Sequence, residues 1–324
     1  MDACMNILVT GGAGFIGSNL VEYHLNKNDT VIALDDFSTG NQQNIAPFKS
    51  NPNFHFIQTD IATFPDLDNV VSQADRIYHM AAIVGVLKII NIPERVLSMN
   101  INMTERVLRA ARASKRNPRL MLASTSEVYG EGAAVAFDEQ ADINLGNKKS
   151  SCQSYIVSKI ATEAYGMAYA TQHGLSVTNL RIFNTIGPGQ IGGYGMVVPR
   201  FIQNAIHHKP LVVHGTGLQI RSFCDVRDLI ALMDRLAADP TTVGETFNIG
   251  HDRIISILDL AQLIKKLAQS DSSINHISYE EIYGQGFHDI MFRQPNLSKL
   301  LTWTDYRFKW NLEASLLDLI ERAR

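Results

Sequence analysis

The sequence is short of several features that would each have pointed to a function. It has three cysteines in 324 residues, at Cys4, Cys152 and Cys224, far apart and with no CxxC pair. That pattern suits reduced thiols in a cytoplasmic protein and excludes a disulfide scaffold. No apolar run approaches the roughly 20 residues of a membrane-spanning helix. The start, MDACMNILVTGG, leads into a strand without a basic leader. Neither a membrane partner nor a signal peptide is expected. Positive charge is not in excess, with 29 Lys and Arg against 32 Asp and Glu. A general nucleic-acid binder is thereby excluded, and an anionic ligand would need a local site. The ten histidines show no metal-ligand spacing, so no metal is expected. Repeats and low-complexity segments are absent.

What remains is an ordinary globular balance, 45% hydrophobic and 19% charged, long enough for a large domain and a smaller one. Asn6–Thr10, Thr30–Leu34, Phe54–Gln58, Arg76–Met80, Arg119–Ala123 and Ser176–Ile182 read as buried strands. Helical spacing over Phe15–Leu25, Met99–Ala113 and Ile156–Thr171 separates several of them. Strands alternating with helices predict an α/β fold with a Rossmann-type, doubly wound parallel sheet. After Phe183 the rhythm breaks. Gly187–Gly195 reads as a loop over a site. Val197–His208, Ile257–Leu267 and Asn311–Arg324 read as helices, and Leu211–His214 and Thr246–Ile249 as strands. The expected division is a dinucleotide domain over 1–183, to which 225–250 returns. A smaller C-terminal substrate domain is expected over 184–224 and 251–324.

The turn after the first strand is Gly11-Gly12-Ala13-Gly14-Phe15-Ile16-Gly17. Glycines at 11, 14 and 17 permit a sharp turn, backbone approach to a pyrophosphate, and close helix–sheet packing. The following helix N-terminus offers free N–H groups to phosphate. An ordinary glycine turn is the structural alternative, disfavoured by the strand-to-helix context. Asp35 ends the second strand, where a carboxylate accepts from the ribose hydroxyls of NAD and repels the 2′-phosphate of NADP. Asp36 adds to that repulsion or serves its own turn. Asp60-Ile61 follows the third strand, near an adenine or as a turn cap. The cofactor expected is NAD.

Tyr155 and Lys159, four apart in a helix, share one face. An unperturbed tyrosine, with a pKa of about 10, is a poor base at neutral pH, and a nearby ammonium favours its phenolate. Such a pair can take the proton from a sugar hydroxyl as hydride leaves the same carbon. Ser124-Thr125-Ser126-Glu127 closes the fifth strand, at the end where open α/β sheets bind ligands. Thr125 would hydrogen-bond the reacting oxygen; a plain polar turn is the alternative. Cys152 reads as a buried thiol.

These segments together resemble the extended short-chain dehydrogenase/reductase family of nucleotide-sugar epimerases, dehydratases and decarboxylases. The resemblance is carried by VTGGAGFIGSNLVE (9–22), HMAA (79–82), ASTSEVYG (123–130), YIVSK (155–159) and RIFNTIGPG (181–189). It continues through MVVPRF (196–201), RSFCDVRDL (221–229), FNIG (247–250) and DIMFRQPN (289–296). It implies bound NAD and a catalytic set of Thr125, Tyr155 and Lys159, with Ser126 and Glu127 beside it. Gly11, Gly14, Phe15, Ile16, Asp35, Asp60, Ile61, Ala81 and Lys159 match positions that hold the cofactor. Asp36, Ser38, Ala82 and Tyr155 complete that set. Asn184, Val198, Arg221 and Arg293 match the substrate region, and two guanidinium forks suit a diphosphate. The resemblance also implies a homodimer through Met99–Ala113 and Ile156–Thr171.

Oxidation at carbon 4 is common to such enzymes, and the fate of the 4-keto sugar depends on neighbouring groups. Ser126 stands where the dehydratases carry aspartate, which argues against 4,6-dehydration. Thr-Ser-Glu resembles UDP-glucuronate decarboxylases, as do FCDVRDL and GFHDIMFRQPN. Against this, GPGQ replaces a usual GPR, so Gly189 removes an arginine, and KKSSCQS departs from the decarboxylase pattern. The balance favours decarboxylation over UDP-sugar 4-epimerisation, of the UDP-glucose or UDP-GlcNAc type. A non-catalytic NAD sensor on the same fold is the reading from another class. Such relatives usually lack the tyrosine or lysine present here.

Overall fold

The computed structural model describes residues 4–130, 135–143, 145, 153–192, 196–283 and 289–324. Cys152 and residues 193–195 of the expected loop lie outside these.

Seven strands form one parallel sheet: β1 (Asn6–Thr10), β2 (Thr30–Asp35), β3 (Phe54–Gln58), β4 (Arg76–His79), β5 (Arg119–Thr125), β6 (Val177–Ile182) and β7 (Thr246–Ile249). Their order is β7-β6-β5-β4-β1-β2-β3, a Rossmann-like arrangement that reverses direction between β1 and β4. That reversal opens a crevice beyond the carboxyl ends of the strands. Strand interiors such as Ile7, Leu8, Val9, Leu120, Met121 and Leu122 are all buried, as expected of a sheet covered on both faces.

Two helical layers cover it. On one face, α1 (Phe15–Asn26) packs beside α6 (Val226–Ala238). On the other lie α2 (Leu67–Gln73), α3 (Pro93–Ala113) and α4 (Gln153–His173). Helix α3 begins six residues before the expected Met99. Its first turn, Pro-Glu-Arg, is polar and so hides the period, but proline is well placed at a helix start. Strand β5 runs two residues past the expected Ala123, which brings Ser124 and Thr125 into the sheet.

A third apolar cluster joins α5 (Val197–Ile206), α7 (Ile257–Leu267) and α8 (Leu312–Ala323) to the short strands Leu211–His214 and Ile274–Ile277. The starts of α6, α7 and α8 are capped by Asp225, Ser256 and Asn311, whose side chains accept backbone N–H groups. Each cap satisfies a donor the helix cannot. Ile186, Val198, Phe223 and Ile257 of this cluster border the crevice.

Candidate active site

The crevice contains three cavities of about 270, 320 and 310 Å3 that share walls. The first is bordered by Gly11, Asp35, Asp36, Ser38, Asp60, Ile61, Ala81 and Ala82. The second adds Gly14, Phe15, Ile16, Thr125, Ser126, Glu127, Tyr155 and Lys159. The third is walled by Asn184, Val198, Arg221 and Arg293, and again by Glu127 and Tyr155. The residues matched from sequence to catalysis, cofactor and substrate therefore line cavities that share walls.

The glycine turn is held to its shape by contact. Gly11 has φ +72°, and a Cβ there would lie 2.8 Å from the Ala81 nitrogen. A Cβ on Gly17 would lie 2.0 Å from the Gly11 oxygen. A Cβ on Gly14 would meet, among the described residues, that same oxygen alone, at 3.1 Å. The bare Gly14 backbone is thus open to a phosphate at the start of α1. Asp35, buried at the end of β2, accepts from the backbone N–H groups of Ala13 at 3.0 Å and Phe37 at 2.8 Å. Burial pushes its carboxyl above the usual range, the two hydrogen bonds opposing. A buried carboxylate with lone pairs to spare suits ribose hydroxyls. These residues fit a dinucleotide. Asp36 is exposed and accepts from the Ser38 N–H at 2.8 Å. Asp60 accepts from the Ala62 N–H at 2.8 Å. Both close turns while lining the cavity.

Thr125 ends β5 and caps the short turn Ser126–Tyr129, accepting from the Glu127 N–H at 3.3 Å. Lys159 is buried and donates to the Ala123 carbonyl at 2.8 Å. Its Nζ lies 6.0 Å from the centre of the Tyr155 ring. Burial lowers Lys159 to about 8, with the Glu163 carboxylate opposing. Tyr155 is raised above its ordinary value, first by burial and then by the Glu127 charge. A hydrogen bond with Thr125 and the Arg293 charge oppose that rise. The expectation that the ammonium alone would lower the tyrosine needs revision. The Lys159 charge is turned toward the β5 carbonyl, and the charges acting on Tyr155 are Glu127 and Arg293.

Arg293 Nη1 approaches Glu127 Oε1 at 3.5 Å. Its Nε is buried without a hydrogen-bond partner among the described residues. Arg221 donates from Nη2 to Asp289 at 2.7 Å. Burial and the Arg293 charge lower it to about 10. Asn184 donates to the Ser222 carbonyl at 3.2 Å.

Some groove residues escaped the sequence reading. Lys88 and Arg95 line the first cavity, and Lys88 donates to the Ser38 carbonyl at 2.5 Å. Asn44 donates to the Ala13 carbonyl at 3.1 Å and the Gly189 carbonyl at 3.3 Å. Arg200 and His214 line the third cavity 2.6 Å apart. An arginine only donates, so His214 Nε2 accepts and the imidazole is neutral. Burial and Arg200 lower His214 to about 4. A lone arginine, lysine or asparagine in a surface-type segment has no local signature. Asp289 did stand in a quoted segment, but its role depends on Arg221.

Residues 7–250 match the NAD dependent epimerase/dehydratase family. The chain is 35% identical over 318 residues to a UDP-N-acetyl-alpha-D-glucosaminuronate decarboxylase of Bacillus cytotoxicus, covering 98% of this chain and 97% of the relative. It is 31% identical to UDP-glucuronic acid decarboxylase 1 of Arabidopsis thaliana, covering 99% and 70%. A solved structure of UDP-glucuronic acid 4-epimerase from Bacillus cereus, in complex with UDP-glucuronic acid and NAD, superposes with a TM-score of 0.87. That enzyme is 28% identical, with 99% and 100% of the two chains covered. With the glycine turn, the buried Asp35 and the Thr125–Tyr155–Lys159 cluster in one groove, the chain belongs to the NAD-dependent epimerase/dehydratase family of enzymes.

Proposed function

We propose that this enzyme decarboxylates a UDP-linked hexuronate through a 4-keto sugar, with UDP-glucuronate or its 2-acetamido counterpart as substrate. The observation that carries the reading is Glu127, which shares two cavities with Tyr155 and Arg293. The named relatives among the decarboxylases support it.

NAD, when bound, accepts a hydride from carbon 4 and returns it. The protein's own residues do the rest. Tyr155 takes the proton of the 4-hydroxyl, with Thr125 hydrogen-bonded beside it and Lys159 holding the cofactor ribose. The 4-keto sugar of a uronate is a β-keto acid. Its C5–carboxylate bond breaks with the electron pair moving toward the C4 oxygen, and CO2 leaves. Thr125 and the protonated Tyr155 donate to that enolate oxygen. Glu127 and Ser126 border the position of carbon 5, and Glu127 is assigned the relay of a solvent proton to that carbon, the enolate electron pair forming the new C–H bond. Arg221 meets the diphosphate, Arg293 the anionic sugar beside Glu127, and Asn184 and Val198 the remaining substrate contacts. Residues 1–183 with 225–250 serve the cofactor; 184–224 and 251–324 serve the substrate.

Incubation of NAD-loaded enzyme with UDP-glucuronate and UDP-2-acetamido-glucuronate, read by CO2 release and product NMR, tests the proposal. A UDP-pentose and CO2 are expected. A C4 epimer without CO2 would reassign the enzyme as a 4-epimerase, the activity named for the Bacillus cereus neighbour. No turnover of any UDP sugar would overturn both, and unchanged biological activity of Tyr155→Phe would favour an NAD sensor.

The enzyme is proposed to work in the cytoplasm as a homodimer through α3 and α4. On α4, Val157 and Tyr165 expose apolar surface. Among the described residues no helix is long and apolar enough to cross a membrane. Light scattering showing a monomer at micromolar concentration would contradict the dimer.

A further inference from the structure

Four residues after Lys159 and eight after Tyr155, the same stripe of α4 carries Glu163. It is 7% exposed and saturated with donors. Ser124 Oγ donates to its Oε1 at 2.5 Å. Arg181, from β6, grips it with both ends of the fork, Nε to Oε1 at 3.0 Å and Nη2 to Oε2 at 2.8 Å. The third arm of Arg181, Nη1, donates to the Tyr129 hydroxyl at 3.0 Å and the Glu139 carbonyl at 3.2 Å. Tyr129 in turn donates to Asn248 on β7 at 2.6 Å.

The partners are not scattered. Ser124 precedes Thr125 on β5. Tyr129 closes the turn that carries Ser126 and Glu127. Glu163 lies on the helix of Tyr155 and Lys159. One buried charged network therefore joins the three segments that supply the catalytic groups. Buried ion pairs are poor stabilisers against apolar packing, because desolvation offsets most of the Coulomb gain. In some proteins such pairs serve instead to fix one conformation.

We propose that the Glu163–Arg181 pair is a positioning element of the active site: it locks the Tyr155–Lys159 helix to the Thr125 strand and the Glu127 turn, and its carboxylate is the counter-charge of the Lys159 ammonium. This rests on the reading of Tyr155 and Lys159 as catalytic. Neither Glu163 nor Arg181 borders the three cavities of the groove.

Among the described residues the charged and titratable groups around Lys159 are few. His79 faces it from β4, and its imidazole is neutral, pushed down to about 3 by burial and the Lys159 charge. Tyr155 and Glu163 share its helix. Arg181 stands behind Glu163 on β6. Glu127 and Arg293 act beyond Tyr155. Among the described residues Glu163 is the group that raises the lysine against its burial.

The sign of the effect then separates a charge role from a packing role. The protonated Lys159 is the form that donates to the Ala123 carbonyl and can hold the cofactor ribose, so activity falls as pH rises through the lysine titration. Glu163→Gln removes the anion and leaves the Arg181 cation, so the alkaline limb of kcat moves to lower pH by about one unit. Arg181→Gln leaves the anion uncompensated and moves the limb to higher pH. Glu163→Asp and Arg181→Lys keep the charges and leave the limb near its parental position. KM and NAD content change little, because no substrate or cofactor contact is lost. The Lys159 titration is read in parallel by NMR of isotope-labelled lysine, which needs no turnover and serves if Arg181→Gln fails to fold. A limb and a lysine titration that stay put in Glu163→Gln, or that Glu163→Asp moves as far, would overturn the inference. If the parent turns over no UDP sugar, the functional proposal fails, while the lysine titration still decides this one.

Discussion

The Nη2 of Arg221 donates to Oδ1 of Asp289 at 2.7 Å, and the other oxygen of that carboxylate accepts from the Tyr279 hydroxyl at 3.0 Å. The arginine assigned to the diphosphate is thus held by a carboxylate. A diphosphate arriving there meets Asp289 as a like charge and competes with it for the guanidinium. Asp289→Asn is expected to tighten UDP binding several-fold, on the order of 1 kcal/mol for a partly exposed pair. Titration calorimetry with UDP measures it. Unchanged or weaker binding would place the diphosphate away from Arg221.

Glu127 and Arg293 invite a second test. If Glu127 delivers a proton after carbon 4 has been oxidised, Glu127→Gln spares the first half of the reaction and blocks the second. Turnover should fall by about 100-fold or more, with reduced nicotinamide accumulating in the absorbance spectrum. Near-normal turnover would remove Glu127 from the chemistry.

Gly17 offers a structural test of the cofactor turn. A methyl group there would collide with the Gly11 carbonyl at 2.0 Å, and neither backbone can move without disturbing β1 or α1. Gly17→Ala should cost about 1–3 kcal/mol of stability and most of the bound NAD. Thermal denaturation and the nicotinamide content of purified protein give the result; a normal content would falsify this account of the turn.

His79 predicts acid lability. It is buried, with Nδ1 2.8 Å from Thr10 Oγ1 and Nε2 3.2 Å from Thr104 Oγ1. Burial and the Lys159 charge lower it from 6.5 to about 3. Because the folded value lies below the unfolded one, the neutral ring's contribution is fully present above about pH 6.5. It is lost as pH falls through that value toward 3, at about 1.4 kcal/mol per unit. His24, also lowered by burial, adds to the slope. Melting temperature should therefore drop steadily below about pH 6.5, and less so in His79→Gln. A flat profile down to about pH 5 would count against it.

Much of this was legible locally. The strand–glycine turn–helix unit, the acidic residue ending β2 and the Tyr155–Lys159 spacing each lie within one or two adjacent elements, where short-range sterics and helical period dictate geometry. The start of α3 was missed because its first turn is polar, and the end of β5 because Ser124 and Thr125 are not apolar. Arg200 with His214, and Asn44 with Gly189, could not be paired from sequence. Each partner is unremarkable until the chain folds.

A parallel α/β protein with a dinucleotide turn and a tyrosine–lysine pair follows from the order of residues, because periodicity and the steric needs of glycine act over a few residues. The tertiary structure alone decided which charges face Tyr155. Glu127 and Arg293 are 166 positions apart, and Glu163 meets Arg181 only because α4 lies across β5 and β6. Electrostatics inside a groove depend on distance in space and exclusion of water, neither of which the order of residues records.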